Sequence, residues 1–188
     1  GPTGADGATG PTGPSGGGSS GLGVFAYTDV IGNIDRGISF NEGGGNNQAL
    51  AGLVFVAGED IVVNYIACYI LQAGSVTGNF QMAVLKPISN TQAQVVAITD
   101  MVDAITPGLF ELPLTSAITL GQKGIYYFAV YNQVNGSLIG GTTAGISTTV
   151  EASPINFRVQ NISGFALGDS LSTSDVSLAL TPWVVVFE

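Results

Sequence analysis

The stretch GPTGADGATGPTGPS, residues 1–15, consists of five unbroken Gly-X-Y triplets. Only glycine fits at the crowded axis where three polyproline-II chains meet, so a strict period of three predicts a collagen triple helix. A flexible Gly- and Pro-rich linker has a similar composition, but a linker has no reason to keep a phase of three. Because one chain cannot form a triple helix, the stretch predicts a homotrimer.

The composition changes directly after the triplets. Residues 16–23 (GGGSSGLG) are all small except Leu22, and they predict a hinge. Residues 24–188 are rich in β-branched and aromatic residues, and they are numerous enough to bury the core of one domain. We therefore expect a stalk over 1–15, a hinge over 16–23, and a C-terminal head and trimerisation domain over 24–188.

Charged residues are scarce throughout the chain. They make up 9% of it, compared with about 25% in an average soluble protein. A chain this apolar is expected to cover part of its surface with copies of itself, in agreement with a trimer. No apolar run reaches the length of a transmembrane helix, so membrane insertion is not predicted.

The charge pattern argues against a nucleic-acid partner. The net charge is −9, and the four basic residues are scattered along the chain: Arg36, Lys86, Lys123 and Arg158. Binding to nucleic acid or to anionic lipid requires clustered cations, and this chain has no such cluster.

The pattern of the head predicts an all-β domain. Short runs rich in Val, Ile, Phe, Tyr and Thr alternate with Gly, Asn, Pro and Ser clusters. The predicted strands are 24–31, 37–40, 51–56, 61–71, 80–86, 94–99, 108–114, 117–120, 125–131, 137–140, 155–159 and 176–187. About ten strands in a domain of this size fit an antiparallel two-sheet jelly roll. An immunoglobulin-type sandwich is less favoured, because paired cysteines are lacking.

Two of these runs, 61–71 and 125–131, are apolar on both faces. One face of such a strand lies in the sheet core, and we expect a neighbouring subunit to cover the other. The residues predicted to form the trimer interface are Tyr65, Ile66, Tyr127 and Val185. The apolar C-terminal strand is expected to be held in a sheet beside the N-terminal strand.

Three local signals complete the prediction of structure. Asn135-Gly136 predicts a hairpin with a type I′ turn, in which both central residues have positive φ. The run DMVDAI, 100–105, is too short for a stable helix and predicts a turn. Cys68 is the single cysteine, so it is expected to be a small buried apolar residue, and an intrachain disulfide is excluded.

The residue inventory argues against an enzyme. The chain contains no histidine, which removes Ser-His, Cys-His and His-metal chemistry together. Carboxylate pairs such as Glu59-Asp60 lie in turns, where acidic residues solvate loops. We predict no catalytic residues and no cofactor. A structural Ca²⁺ ion bound by carboxylates and backbone carbonyls stays open, although no ligand spacing is recognisable.

The Gly-Pro-Thr and Gly-Ala-Thr triplets, the short Gly/Ser/Leu hinge and the charge-poor β domain ending in an apolar strand resemble the collagen-like glycoproteins of Bacillus-type spore surfaces. That resemblance implies a fibre of the exosporium nap or of a spore-appendage tip. It also implies a trimeric jelly-roll head similar to tumour-necrosis-factor and complement-q domains. Repeat threonines of the family carry O-linked glycans, which makes Thr3, Thr9 and Thr12 candidates. The alternative for these threonines is solvent-facing stabilisation of the triplets without sugar.

Two classes of function follow. The first is a structural and interaction protein, a spore-surface fibre whose head nucleates the trimer and meets surfaces or host molecules. The second is a receptor-binding tip that recognises a glycan, as in a phage tail fibre or a lectin-like adhesin. Jelly rolls serve both classes, so a concave site with exposed aromatics and convergent polar groups would discriminate them. Tyr69, Tyr131 and Trp183 are candidates by residue type, but we predict no discrete saccharide site.

Overall fold

The computed structural model describes residues 24–27, 34–40, 48–143, 154–176 and 180–188. The predicted stalk and hinge, with Thr3, Thr9 and Thr12, lie outside these residues. The described ranges contain thirteen strands and no helix, which confirms the all-β prediction. In chain order the strands are β1 (Val24–Tyr27), β2 (Arg36–Ile38), β3 (Gln48–Phe55), β4 (Ile61–Ala73), β5 (Phe80–Ser89), β6 (Gln92–Ile98), β7 (Gly108–Leu120), β8 (Ile125–Asn132), β9 (Ser137–Thr143), β10 (Asn156–Gln160), β11 (Ser170–Ser172), β12 (Leu180–Pro182) and β13 (Val184–Phe187).

The strands form two antiparallel sheets, an arrangement compatible with a β-sandwich. In the first sheet β4 pairs with β13, β7 and β9, while β1 pairs with β13 and both β2 and β12 pair with β9. The second sheet has the order β10-β3-β8-β5-β6-β11. The predicted strands 108–114 and 117–120 are one continuous strand, β7, whose pairing with β4 contains a bulge.

The main core lies between the two sheets. In β4 the side chains of Ile66, Cys68 and Ile70 point into this core, and in β8 those of Phe128 and Val130 do so. Successive side chains of a strand point to opposite faces, so the residues between them point out of the sandwich. Cys68 is fully buried, as its apolar neighbours predict.

A second apolar cluster covers the outer face of the second sheet. Tyr127 and Tyr131 of β8 lie in this cluster with Phe157 and Phe165. The ring of Tyr127 meets that of Phe157 edge-on at 4.8 Å, and Tyr131 meets Phe165 in the same way at 6.3 Å. We expected a neighbouring subunit to cover 125–131, but the chain itself covers this face of β8 at Tyr127 and Tyr131. Ile125 at the start of the strand stays 44% exposed.

The cover is built by the chain between two opposite sheet edges. Strand β10 pairs with β3 at one edge and β11 pairs with β6 at the other. Residues 161–169, which we name the crossing segment, connect these edges across the outer face. Gln81 holds the crossing segment in place, because its side-chain oxygen accepts a hydrogen bond from the Phe165 N–H at 2.7 Å. The Gln81 Nε2 group donates to the Thr99 carbonyl at 2.9 Å.

The chain termini of the head lie side by side in the first sheet. Strand β1 pairs antiparallel with β13, with Val24 opposite Phe187 and Tyr27 opposite Val185. This confirms that the apolar C-terminus is held beside the N-terminal strand. The segment that follows the predicted hinge therefore enters the head at the first sheet.

The prediction for Asn135-Gly136 is wrong in its context and in its turn type. β8 belongs to the second sheet and β9 to the first, so the turn carries the chain between sheets instead of closing a hairpin. Of the two central residues only Gly136 has positive φ, at 72°, whereas a type I′ turn requires it at both. The Ser137 N–H donates to the Val134 carbonyl at 3.2 Å and closes the turn. Residues 100–105 form no helix, in agreement with the prediction.

Replacing Gln81 by alanine is expected to lower the free energy of unfolding by about 1–3 kcal/mol, because it leaves the buried Phe165 N–H without its acceptor. Gln94→Ala is the matched control. Its Nε2 group also holds the crossing segment, at the Gly168 carbonyl 3.2 Å away, but at an exposed position where water replaces the bond. Denaturant titration of both variants tests this expectation. Equal losses would contradict the role of Gln81 as a buried anchor.

Candidate functional site

The outer face of the first sheet is apolar, and large side chains along β4 and β7 on this face are partly open to solvent. On the outer face of the second sheet the exposed pair Phe55 and Ile125 lies only at the end of β3 and the start of β8. We name the outer face of the first sheet the open face. Its side chains come from β4, β7, β13 and the residue before β13: Tyr65, Ala67, Tyr69, Leu71, Leu109, Glu111, Pro113, Trp183, Val185 and Phe187.

Strand register arranges these side chains in rows. Tyr69 of β4 lies opposite Leu109 of β7, and its ring meets that of Trp183 edge-on, with centroids 6.5 Å apart. Tyr69 and Leu109 are 37% and 49% exposed. With Ile34 these three side chains line a cavity of about 530 Å³. The rows thus bring two aromatic rings and two aliphatic side chains around one concave site.

The remaining rows continue the apolar surface. Tyr65 lies between Pro113 of β7 and Phe187 of β13, and 39% of Tyr65 is exposed. The middle row holds the small buried side chains of Ala67 and Val185, flanked at the edge strand by Glu111. Large exposed apolar patches on a folded domain mark interaction sites. The open face therefore has the character of a contact surface.

The four residues predicted to form a trimer interface do not lie together. Tyr65 and Val185 lie on the open face, whereas Ile66 points into the main core and Tyr127 lies in the second sheet under its cover. Ile66, Tyr127 and Val185 are at most 1% exposed in the single chain. They have no surface to offer another copy, and among the four only Tyr65 does.

Sequence reasoning missed Tyr69, Leu109 and Trp183 as members of one surface. The alternation of Tyr65, Tyr69 and Leu71 on odd positions of β4 was a usable signal, and Ile66 is out of phase with it. The contribution of β7 and Trp183 depends on strand pairing, which the sequence pattern does not reveal. Tyr131, the third aromatic candidate, lies beneath Phe165 on the other sheet.

A second cavity, of about 520 Å³, is acidic. It is lined by Glu59, Asp60, Ile61, Val62 and Glu188. The Asp60 carboxylate accepts a hydrogen bond from the Gln122 N–H at 2.7 Å, so it already closes a loop contact. Within the described part of the chain no three or more His, Cys, Asp or Glu residues are arranged to hold a metal ion. A structural Ca²⁺ ion receives no support from this cavity.

Two buried groups have shifted proton affinities. Burial raises the pKa of the Cys68 thiol far above its ordinary value. Burial also raises the pKa of the Tyr131 phenol, whose hydroxyl oxygen finds no hydrogen-bond partner among the described residues. Neither group lines the cavity of the open face, so neither supplies a reactive group to it.

No protein-family model matches the chain, and comparisons with curated proteins and with solved structures give no match either. The described residues contain no helix that is long and apolar enough to cross a membrane.

The thiol of Cys68 is expected to stay unreactive in the folded protein at neutral and mildly alkaline pH. Its full burial excludes reagents, and the raised pKa keeps it protonated. Labelling with a disulfide reagent, with and without denaturant, measures this. Labelling of the folded chain as fast as that of the unfolded chain would show that the main core opens around β4.

Proposed function

We propose that this protein is a structural and interaction protein, a homotrimeric collagen-stalked fibre of the bacterial spore surface. Its head, residues 24–188, joins three copies through the open face and thereby nucleates the triple helix of the stalk. The observation that carries the proposal is the open face itself. The location on spores rests on the resemblance of the triplets, the hinge and the β domain to the exosporium glycoproteins.

The chemistry of the open face suits contact with another protein copy. Tyr and Trp are enriched at the centres of interfaces, where their rings bury a large area. Tyr65, Tyr69 and Leu109 each keep more than a third of their surface exposed in the single chain. Burial of apolar surface stabilises association by about 25 cal/mol per Å². Glu111 stands at the edge-strand end of the middle row, and the side chains that β4 and β13 place on this face carry no charge.

The position of the open face also suits the predicted stalk. β1 is the first strand after the hinge and pairs with β13, whose outward side chains belong to the open face. Three copies joined through this sheet would hold their hinges together, at about millimolar effective concentration. That removes most of the cost of bringing three short triplet segments into register. The head would then assemble the trimer, and the stalk would form from the three chains that the head holds together.

The finer architecture that we propose is a jelly roll. Within the first sheet the strands β1, β13, β4 and β7 are neighbours in that order, and within the second sheet β3, β8, β5 and β6 are neighbours. Numbering these eight strands along the chain gives orders 1-8-3-6 and 2-7-4-5. Such alternation between sheets is that of two Greek keys folded into a sandwich. We expect neither catalysis nor nucleic-acid binding. The external partner of the fibre is a host surface, and a glycan ligand belongs to the alternative function, a receptor-binding tip.

We expect both the full chain 1–188 and the shortened chain 24–188 to have the mass of a trimer in light scattering. In 24–188, Tyr69→Asp should reduce that mass, because an unpaired carboxylate would be buried in the interface. Ile88→Asp is the matched control. Ile88 is 51% exposed at the end of β5 in the second sheet, away from the open face.

The outcomes separate the parts of the proposal. A monomeric 24–188 beside a trimeric 1–188 would make the stalk the trimerising element and contradict the role of the head. Trimers in wild type and in both variants would leave the trimer standing but place its interface elsewhere. Circular dichroism of the Tyr69→Asp variant shows whether the β structure is intact.

The cavity between Tyr69 and Trp183 favours a second candidate function, a receptor-binding tip. Exposed rings around a concave site are typical of sugar-stacking platforms, but such sites also need convergent polar groups. The cavity is lined by Ile34, Tyr69, Leu109 and Trp183, which offer hydrogen bonds only through one phenol and one indole N–H. We therefore expect a glycan array probed with 24–188 to show no reproducible micromolar binding. A specific glycan hit would favour the tip over the fibre.

A further inference from the structure

The turn between β8 and β9 contains the Asn135-Gly136 pair, which the proposed function does not use. We propose that Asn135 is a site of spontaneous deamidation in the folded protein and that its products are aspartate and isoaspartate. The pair was expected to close a hairpin, and its actual position, on a turn between the sheets, gives the modification a structural consequence.

The chemistry requires an accessible side-chain amide and an unhindered neighbouring backbone nitrogen. Asn135 and Gly136 are both exposed. Gly136 has no Cβ to block the approach of its own nitrogen to the Asn135 amide carbon. Among the described residues the Gly136 N–H donates no hydrogen bond, and the Asn135 side chain makes none either. Both reacting groups are therefore unhindered and in contact with water.

The reaction needs only water and hydroxide. Hydroxide removes the proton of the Gly136 amide, and the nitrogen attacks Cγ of Asn135. A C–N bond forms, the bond from Cγ to the side-chain nitrogen breaks, and that nitrogen leaves as ammonia after taking a proton from water. Water then opens the five-membered imide at one carbonyl to give aspartate or at the other to give isoaspartate.

Two other exposed asparagines lie in turns of the same chain and provide internal comparisons. Asn90 lies in the hairpin between β5 and β6, and the following residue is Thr91, whose N–H donates to Ser89 Oγ at 3.3 Å. Asn161 begins the crossing segment and is followed by Ile162. Both following residues are β-branched, so their side chains hinder the attack that glycine permits.

The product changes a turn that ties the two sheets together. The Asn135 carbonyl accepts from the Ser75 N–H at 3.1 Å, and the Gly136 carbonyl accepts from Gln72 Nε2 at 2.7 Å. Isoaspartate routes the main chain of residue 135 through Cβ and Cγ and releases the carbonyl that accepts from Ser75 as a free carboxylate, so both bonds cannot keep their geometry. It also adds a negative charge to a chain of net charge −9. The turn should therefore loosen at the end of β4.

Incubation of the folded chain 1–188 at neutral and mildly alkaline pH, followed by peptide mapping for aspartate and isoaspartate, tests the proposal. We expect conversion at Asn135 to be several-fold faster than at Asn90 and Asn161 and to accelerate with hydroxide concentration. Asn135→Gln should abolish the product of that peptide, and the aged wild-type protein should melt at a lower temperature than the aged variant.

Two results would overturn the proposal. One is conversion of Asn135 no faster than that of Asn90 in the same folded sample. The other is conversion that occurs only after denaturant is added, which would show that the folded turn protects the pair.

Discussion

Strands β4 and β8 each carry apolar side chains on both faces, and each therefore needs two covers. The sandwich interior supplies one cover for both, through Ile66 and Ile70 on one side and Phe128 and Val130 on the other. The second cover differs. β8 receives it from its own chain, with Phe157 and Phe165 packed on Tyr127 and Tyr131. β4 receives none of comparable size, and its Tyr65 and Tyr69 stay partly exposed.

This asymmetry between the sheets supports the proposed function. The head covers the middle of one outer face and leaves the middle of the other apolar face open, so the open face is the surface through which we expect copies to associate. The open face belongs to the sheet that receives β1, so association through it places the chain entries of the copies near one another. The chemistry of the cavity there is apolar, with few hydrogen-bonding groups, which suits another protein surface better than a sugar.

Much of the fold was predictable because strand patterns are local. The alternation of apolar residues located most strands, and the apolar C-terminus correctly predicted pairing with β1. The errors concern contacts between distant parts of the chain. Asn135-Gly136 is a turn by local chemistry, but only pairing decides that β8 and β9 lie in different sheets. The outward-facing ring of Tyr127 is covered by Phe157, which lies 30 residues further along the chain. The assignment of Ile66 to the interface is wrong by one residue of the period-two strand pattern, because its neighbour Tyr65 faces outward and Ile66 faces the core.

The amino-acid sequence by itself determined that the head is all-β, that its single thiol is buried and that its last strand is held in a sheet. These properties follow from residue type and from a period of two, which act within a few residues. The collagen period, equally local, is what predicts three chains. Only the tertiary structure decided which apolar face is covered and which is open. The outer face of β8 is covered because side chains of β10 and the crossing segment contact it. These contacts depend on strand order and register, not on local pattern.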